Sequence, residues 1–296
     1  MNITLKQLQV FLAVARHENL GRAANELFLT KGAVSLALQE LEKQLGASLF
    51  DRVHPHIRLN HEGARLRPFA DELVQRAGEV ERLFADGGGR RLNVGASKTI
   101  GDYILPGLLR DFENACGWLP QAHIANTDRL LELAAGFALD VVLLEGEENH
   151  PDMIMQDWLA DEMVVLARKS HPLADGARHA PKKLKGERWI LREPHSGTRA
   201  FFEHTLGPLI APYQVGLTLS SPEAILGLVE QGMGVTFASR ITAELPGFNK
   251  RLGVIHLSRS FARMFSIAYH AQKFHSASMD QFVKFCMEWL PPTRPC

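Results

Sequence analysis

Three stretches of the chain place small polar side chains immediately before a predicted helix. Their members are Ser97, Thr99, Asn126, Thr127, Ser196 and Thr198. Hydroxyl groups beside the free backbone N–H groups of a helix start suit a small anion. The same residue types also cap helices, so each stretch taken alone has a structural explanation. Three such stretches in one domain favour a ligand cleft.

A second set of polar side chains lies on a predicted helix near the N-terminus. Lys31, Ser35 and Gln39 recur every four residues, so they share one face of that helix. Thr30 precedes them and can cap the helix, where the partial positive charge also favours phosphate. Ser35 and Gln39 have the donors and acceptors that read base edges. The spacing fits DNA binding and fits equally a small helical unit that only packs.

A nucleophilic enzyme site is an alternative use of the cleft residues. Ser97 precedes Lys98, and Ser196 follows His195, so each hydroxyl has a possible base beside it. However, no GxSxG, Walker, HExxH or GxGxxG motif occurs in the expected context. We therefore expect a protein that is not an enzyme and that holds no cofactor.

Cysteine and histidine spacing predicts neither a disulfide framework nor a metal site. Cys116, Cys286 and Cys296 are far apart and form no CxxC pair, which favours a reducing compartment. Oxidant sensing through Cys116 and Cys286 remains an alternative input for a regulator. His54 and His56 are two residues apart at a turn, without a third ligand nearby.

Composition restricts the class of protein. The chain has 296 residues, 46% hydrophobic and 22% charged, as globular proteins of two or three domains do. Its net charge is zero, which excludes a chain-wide surface for polyanions, so a nucleic-acid site must be local. The N-terminus lacks a secretory pattern, and no long apolar run occurs, so we expect a cytoplasmic protein without a membrane contact.

The elements that carry the first polar set resemble a helix-turn-helix. A first helix runs through Leu5, Leu8, Leu12 and Ala15, a second covers Arg22 to Phe28, and the third ends at Gly46. Leu49–Val53 and Ile57–Leu59 then predict a β-ribbon, in which Arg52 and Arg58 can contact phosphates.

A long amphipathic helix follows the ribbon from about His61 to Phe84. Its apolar residues step by four and three, a heptad pattern that pairs two helices or packs on the same chain. Pro68 should kink the helix, and Gly87-Gly88-Gly89 should form a flexible joint. The seam consists of Leu66, Ala70, Leu73, Ala77, Val80 and Phe84.

Strands alternate with helices over the remaining two thirds of the chain, which indicates an α/β fold. Among these elements we predict a helix over Tyr103–Phe112 and a strand at Met163–Ala167. Val141–Leu144 is continuously apolar and predicts a strand buried on both faces. Ligands of such sheets bind beyond the carboxyl ends of the strands, where the three polar stretches lie.

The N-terminal sequence closely resembles that of LysR-type transcriptional regulators. The matching segments are Leu8-Gln9-Val10-Phe11, Ala23-Ala24, Ala33-Val34-Ser35, Leu41-Glu42-Lys43-Gln44-Leu45-Gly46 and Leu49-Phe50-Asp51-Arg52. The segments that resemble the effector-binding domain of the same family are Ser97 to Pro106, Leu191-Arg192-Glu193 and Ser196-Gly197-Thr198-Arg199. The likeness is to the branch that includes the cysteine-biosynthesis and YeiE-like regulators.

The resemblance implies an architecture that is α/β overall. Residues 1–60 would form an all-α winged helix-turn-helix, 61–89 a dimerisation helix and hinge, and 90–296 an effector-binding domain similar to periplasmic binding proteins. Its lobe I would comprise about 91–161 and 268–296, and its lobe II about 162–267. The six polar residues of the three stretches would line the pocket between the lobes and bind a small oxyanion or carboxylate.

The resemblance also implies partners. These are double-stranded DNA at a near-palindromic promoter site, a second copy in a homodimer or homotetramer, and RNA polymerase on the nucleoid. The implied DNA contacts are Thr30, Lys31, Ser35, Gln39 and Arg52. The chain departs from the family by Gly21 for Thr or Ser, Gly32 for Pro, Leu36 for Arg or Lys, Pro55 for Arg, and His195 for a frequent Gly.

Overall fold

The computed structural model describes residues 3–53, 56–83, 90–145, 150–244, 248 and 250–291, without the side chains at 52, 53, 56, 79, 82 and 83. Several residues singled out above therefore lie outside the described part: His54, Pro55, Phe84, Gly87, Gly88, Gly89 and Cys296. In the part described, no helix is both long and apolar enough to cross a membrane.

Three helices form the N-terminal unit: α1 (Leu5–His17), α2 (Leu20–Glu26) and α3 (Lys31–Leu45). The second begins two residues before the predicted start, because the Asn19 side chain accepts hydrogen bonds from the N–H groups of Gly21 and Arg22. It ends before Phe28, whose backbone is left-handed at φ 55°. As predicted, Thr30 caps α3 and Gly46 ends it in the left-handed conformation.

The predicted ribbon is present as β1 (Phe50–Val53) and β2 (His56–Leu59). The strands are antiparallel, with Asp51 opposite Arg58 and Arg52 opposite Ile57. Phe50 and Ile57 are buried in the core of the N-terminal unit, which fixes the ribbon to the three helices.

The long helix α4 (His61–Leu83) continues through Pro68. For Leu66 and Ala70 the second of the two expected uses of the heptad face holds, because both pack against the N-terminal core of the same chain. Leu73 is 50% exposed and Val80 is 57% exposed, and Phe69 joins them at 66%. The exposed apolar stripe of α4 is therefore Phe69, Leu73 and Val80.

The rest of the chain is the predicted α/β part. Its strands are β3 (Asn93–Ser97), β4 (Gln121–Ala125), β5 (Val141–Glu145), β6 (Met153–Arg168), β7 (Arg188–Arg192), β8 (Gln214–Leu219), β9 (Thr236–Ser239), β10 (Leu252–Ile255) and β11 (Ala262–His270). Its α-helices are α5 (Lys98–Tyr103), α6 (Leu105–Cys116), α7 (Thr127–Ala135), α8 (Gly197–His204), α9 (Gly207–Ile210), α10 (Pro222–Glu230), α11 (Arg240–Ala243) and α12 (Ala277–Glu288).

The strands follow the order β10-β6-β11-β5-β3-β4, with β9 also on β6, and β7 and β8 pair separately. The sixteen-residue β6 joins two lobes, because residues 153–162 pair with β11 and residues 163–168 pair with β9 and β10. One core surrounds Leu143 and Phe265, and another surrounds Trp189 and Phe237. Each lobe thus has its own hydrophobic centre.

Two predictions about element bounds are wrong in this part. The helix expected over Tyr103–Phe112 is α6, which runs from Leu105 to Cys116, and a separate short helix, α5, precedes it and ends at Tyr103. The strand expected at Met163–Ala167 begins ten residues earlier, at Met153. Residues 153–162 have mixed polarity, since that half of the strand is only partly covered.

Candidate functional site

The third helix of the N-terminal unit separates its packing face from its polar face. Val34, Leu38 and Leu41 are at most 1% exposed. Lys31 and Gln39 are exposed, and Ser35 is half-buried. The Thr30 hydroxyl accepts from the Ala33 N–H at 3.2 Å, which leaves its proton free to donate. The structure therefore brings these four predicted residues onto one outward side.

The ribbon places its two arginines on neighbouring strands. Arg58 is exposed on β2, and its cross-strand neighbour Asp51 is exposed as well. Arg52 lies on β1, and its side chain is outside the described part. Seven basic against five acidic residues over 1–60 give this unit a net charge of +2.

The three polar stretches of the α/β part converge between the two lobes. Ser97 ends β3, and the parallel register pairs it with Ala125, so that Asn126 lies beside it. Ser196 and Thr198 follow β7 and approach from the other lobe. Five of the six predicted residues are buried to 5% exposure or less: Ser97, Thr99, Thr127, Ser196 and Thr198.

Helix capping explains one of the three stretches and not the other two. The Asn126 side chain accepts from the Arg129 N–H at 3.0 Å and caps α7. Ser97 and Ser196 occupy the N-cap positions of α5 and α8, but neither hydroxyl caps its helix. The buried Ser97 Oγ has no hydrogen-bond partner within the described residues. Such a group is costly unless another molecule bonds to it.

A buried carboxylate that the sequence analysis missed lies among these residues. Glu145 ends β5 and is 2% exposed. It accepts from the Thr99 N–H at 3.0 Å and from the Thr198 hydroxyl. These are donors that a bound anion would use, so the chain supplies a carboxylate of its own to the cleft. Glu145 was missed because it is the end of an apolar strand with no motif around it.

Glu145 is bonded to an arginine that was also missed. Arg263 on β11 donates from Nη1 to Glu145 at 3.2 Å and from Nε to Asp161 at 2.8 Å. Its side chain is 1% exposed, and Nη2 has no partner within the described residues. The Ser239 hydroxyl completes the group by donating to Asp161 at 2.6 Å. Two carboxylates thus surround one guanidinium at the crossover between the lobes.

The electrostatics of this group depend on burial and on the arginine. Burial acts to raise the pKa of Glu145, but Arg263, the Thr198 hydroxyl, Arg192 and the Thr99 N–H outweigh it and lower that pKa to about 2. Burial raises the pKa of Asp161 above its ordinary value, although Arg263 and Ser239 oppose the shift. Glu145 is therefore ionised at neutral pH.

Direct contacts close the cleft between the lobes. The Gly197 N–H donates to the Thr127 hydroxyl at 3.2 Å. A Cβ on Gly197 would lie 2.6 Å from the Glu145 carbonyl oxygen, so the approach requires glycine. Lys98 donates to the Ser220 carbonyl at 2.8 Å, and His195 contacts Asp128. His195 has φ 68°, a left-handed conformation that costs less for glycine.

A small cavity remains beside the closed contacts. Thr99, Thr198 and Arg192 provide its polar wall, while Ile225 and Phe237 belong to its apolar wall. The Arg192 guanidinium binds Glu193 at 2.8 and 3.1 Å. The cavity measures about 20 Å³, room for about one water molecule, so a larger ligand would bind here only with the cleft more open.

The contacts of the possible enzyme bases do not activate the serines. Lys98 bonds to Ser220, and His195 bonds to Asp128, so neither is bonded to the Ser97 or Ser196 hydroxyl. In the described ranges, no group of three His, Cys, Asp or Glu side chains could hold a metal ion.

One of the two described cysteines is buried in a hydrophobic core. Cys286 is buried in the first core, and burial raises the pKa of its thiol. Cys116 is half-buried at the end of α6. The environment of Cys286 is not typical of a reactive thiol.

A second buried ion network joins α4 to the α/β part. Lys273 Nζ lies 3.1 Å from Asp71 of α4 and 2.9 Å from Asp140, which precedes β5. Asp140 also accepts from the Asn93 N–H at 2.7 Å. Burial raises the pKa of Asp71, and Lys273 opposes that shift. Asp140 precedes β5, which ends at Glu145, and Lys273 follows β11, which carries Arg263. The paired strands β5 and β11 therefore connect this network with the buried group around Glu145.

Comparison with known families assigns both parts of the chain. Residues 5–64 match the bacterial regulatory helix-turn-helix protein, lysR family, and residues 85–291 match the LysR substrate binding domain. The HTH-type transcriptional regulator YeiE of Escherichia coli K12 is 34% identical over 289 residues, covering 97% of this chain and 98% of that protein. The regulator CysL of Bacillus subtilis is 28% identical over 284 residues, covering 92% and 91%.

Solved structures share the fold. A full-length OxyR variant of Pseudomonas aeruginosa has a TM-score of 0.73 at 20% identity and covers 97% of this chain and 95% of its own. The regulatory domain of CcmR of Synechocystis PCC6803, solved with 2-PG, has a TM-score of 0.63 at 26% identity, covering 67% and 96%.

Proposed function

The chain belongs to the LysR family of transcriptional regulators, and we propose that it binds DNA as a homo-oligomer under the control of a small anion. Membership follows from the two family matches and from the extent of the YeiE similarity. It makes the protein a DNA-binding regulator with an effector-binding domain and not an enzyme.

The proposed DNA-binding residues are the exposed polar set of the N-terminal unit. Lys31 and the N-terminus of α3 contact phosphate, while Ser35 and Gln39 reach base edges in the major groove. Arg52 and Arg58 of the ribbon, together with Thr30, position the unit on the backbone. A two-fold dimer would then read a near-palindromic promoter site.

The proposed dimer contact is the exposed stripe of α4. Phe69, Leu73 and Val80 are separated by four and seven residues, so they share one face of the helix. Exposed apolar stripes at this spacing pair helices. A homotetramer and a contact with RNA polymerase on the nucleoid are further parts of the proposal, supported by the family.

The proposed effector is a small oxyanion or carboxylate, and one observation carries this assignment. Ser97 Oγ and Arg263 Nη2 are buried and have no hydrogen-bond partner among the described residues. They lie beside the Thr99 N–H, which already donates to the Glu145 carboxylate. An effector anion would use these groups together with Thr99, Thr127, Ser196 and Thr198, while Asn126 orients α7. That the CcmR regulatory domain was solved with 2-PG supports a small-molecule effector for this domain.

Binding would act through the contacts between the lobes. An anion that displaces the Glu145 carboxylate from Thr99 and Thr198 also changes the bond of Glu145 to Arg263. Because these groups lie on both lobes, the ligand prefers one lobe arrangement and shifts its population. The spacing of the two DNA-binding units would change with it.

A thermal-shift screen of the full chain tests the effector class. Sulfate, phosphate and short carboxylates are the probes. An anion present at one hundred times its Kd stabilises the folded protein by about 2.7 kcal/mol. The Thr99→Ala and Thr198→Ala double variant should lose this shift and the effector response while it still binds DNA. Thr205→Ala is the control, because its hydroxyl bonds to the Phe201 carbonyl away from the cleft.

Two results would contradict the proposal. Loss of DNA binding in the folded double variant would show that the cleft and the DNA-binding unit are not separate sites. An equal shift of the wild type and the double variant by every probe anion would place anion binding elsewhere.

A further inference from the structure

An exposed leucine lies on the outward side of the DNA-binding helix. Leu36 is the sixth residue of α3 and is 66% exposed, whereas Val34 and Leu38 on either side of it in sequence are at most 1% exposed. Among the described residues, the core of the N-terminal unit does not include it. Leu36 therefore has no evident packing role in its own chain.

The neighbours of Leu36 make it protrude. Gly32 and Ala33, four and three residues earlier, are exposed and small. A leucine in a helix leans toward the N-terminus and covers the preceding turn. Leu36 thus covers the first turn of α3, and the N-terminal residues of such a helix are those that meet base edges.

An apolar side chain at this place can recognise one feature of a base pair. In the major groove the edges of guanine, cytosine and adenine present hydrogen-bonding atoms, and thymine adds its C5-methyl group. Leucine against a polar edge would leave that edge without its water and without a new partner. Against a thymine methyl it buries apolar surface on both sides.

We propose that Leu36 reads a thymine methyl group in each half-site, which makes it a residue that determines operator specificity. The proposal rests on the proposed function, since it requires that α3 enter the major groove. Lys31, Ser35 and Gln39 contribute affinity and polar readout, and Leu36 adds a preference that no hydrogen bond supplies.

The test replaces thymine by uracil, which removes only the methyl group. Full-length protein selects its preferred sites from duplexes with a randomised centre, and each thymine of the selected site is then changed to deoxyuridine in turn. At one thymine in each half-site, the replacement should raise Kd about four-fold, because the lost burial of a methyl group is worth about 0.8 kcal/mol. Replacement of that thymine in both half-sites should raise Kd about fifteen-fold. Thymines at other positions are internal controls.

Variants of Leu36 assign the effect to this side chain. Leu36→Gln, of similar length but polar, should bind the thymine and the uracil duplexes equally, and Leu36→Met should keep the preference. All three proteins should fold alike, because the side chain is exposed, and circular dichroism checks this.

Three outcomes would overturn the proposal. If the wild type binds the selected duplex and no uracil substitution changes Kd, Leu36 does not read a methyl. If Leu36→Gln keeps the same sensitivity, another side chain reads it, or Leu36 instead meets a second copy of the chain. If the wild type selects no duplex at all, the proposed function fails as well, which separates the two failures.

Discussion

Replacing Glu145 by glutamine removes one charge from the buried group at the crossover of the lobes. Glutamine keeps the shape of the side chain and can still accept from the Thr99 N–H. Arg263 then retains Asp161 as its remaining carboxylate partner. We expect the variant to fold and its effector domain to be clearly less stable.

The expected loss follows from the depressed pKa of this carboxyl group. Its pKa falls from the ordinary 4.5 to about 2 on folding. At 1.36 kcal/mol for each pKa unit, ionised Glu145 stabilises the folded state by about 3 kcal/mol at neutral pH. Removal of one partner of a buried ion pair costs about 3–5 kcal/mol, which agrees. The melting temperature should fall by about 6–12 °C.

The pH dependence has a definite sign. Because the pKa of the folded state is lower than that of the unfolded state, the stabilisation is complete above about pH 4.5 and declines as the pH falls toward 2. Less than half of it remains at about pH 3. The stability difference between wild type and Glu145→Gln should therefore shrink over this interval.

Denaturant unfolding at several pH values, followed by circular dichroism, measures the difference. Glu132→Gln is the matched control: Glu132 pairs with Arg129 at 2.9 Å but is 65% exposed, so the same change should cost at most about 0.5 kcal/mol. Equal stability of Glu145→Gln and Glu132→Gln at neutral pH, or a difference that does not change with pH, would refute the reasoning.

Three other perturbations test the remaining parts of the structure. Lys273→Met leaves Asp71 and Asp140 facing each other without their cation, so α4 should detach from the α/β part; increased hydrogen exchange in α4 would show it, and unchanged exchange would contradict it. Leu73→Lys puts a charge on the exposed stripe of α4 and should weaken dimerisation by at least about ten-fold in sedimentation, whereas an unaltered dimer would place the contact elsewhere. Cys286→Ala should leave DNA binding insensitive to peroxide treatment as in the wild type, because burial keeps the thiol protonated; a peroxide response that only the wild type shows would revive oxidant sensing.

Local patterns predicted the N-terminal unit well because its structure is specified by short-range contacts. The apolar stripe of α3, the Thr30 cap and the Gly46 end each depend on residues within a few positions. The ribbon follows from two short strands about a turn. The proximity of the stretches after β3 and β4 was predictable too, because these parallel strands end at the same edge of one sheet. Ser196 and Thr198 follow β7 of a separate sheet, so only the fold brings them to the other two stretches.

Three features could not be read from the chain alone. Ser97, Ser196 and Asn126 have the same capping potential in sequence, yet only the fold shows that Asn126 caps its helix and the two serines do not. Leu66 and Ala70 fit a seam for a second helix, but α1 and the rest of the N-terminal core occupy that face. Because Leu66 and Ala70 face that core, Phe69 lies on the outward side of α4 and belongs to its exposed stripe.

The sequence by itself determined the family, the order of the domains and the position of the polar stretches at the ends of strands, since all three depend on local patterns or on extended similarity. The tertiary structure decided what occupies that edge. Glu145 and Arg263 are 118 residues apart, and neither lies in a motif, so their contact exists only because β5 and β11 pair. Low dielectric surroundings then make the two charges interact strongly, and burial of this kind is a property of the folded chain.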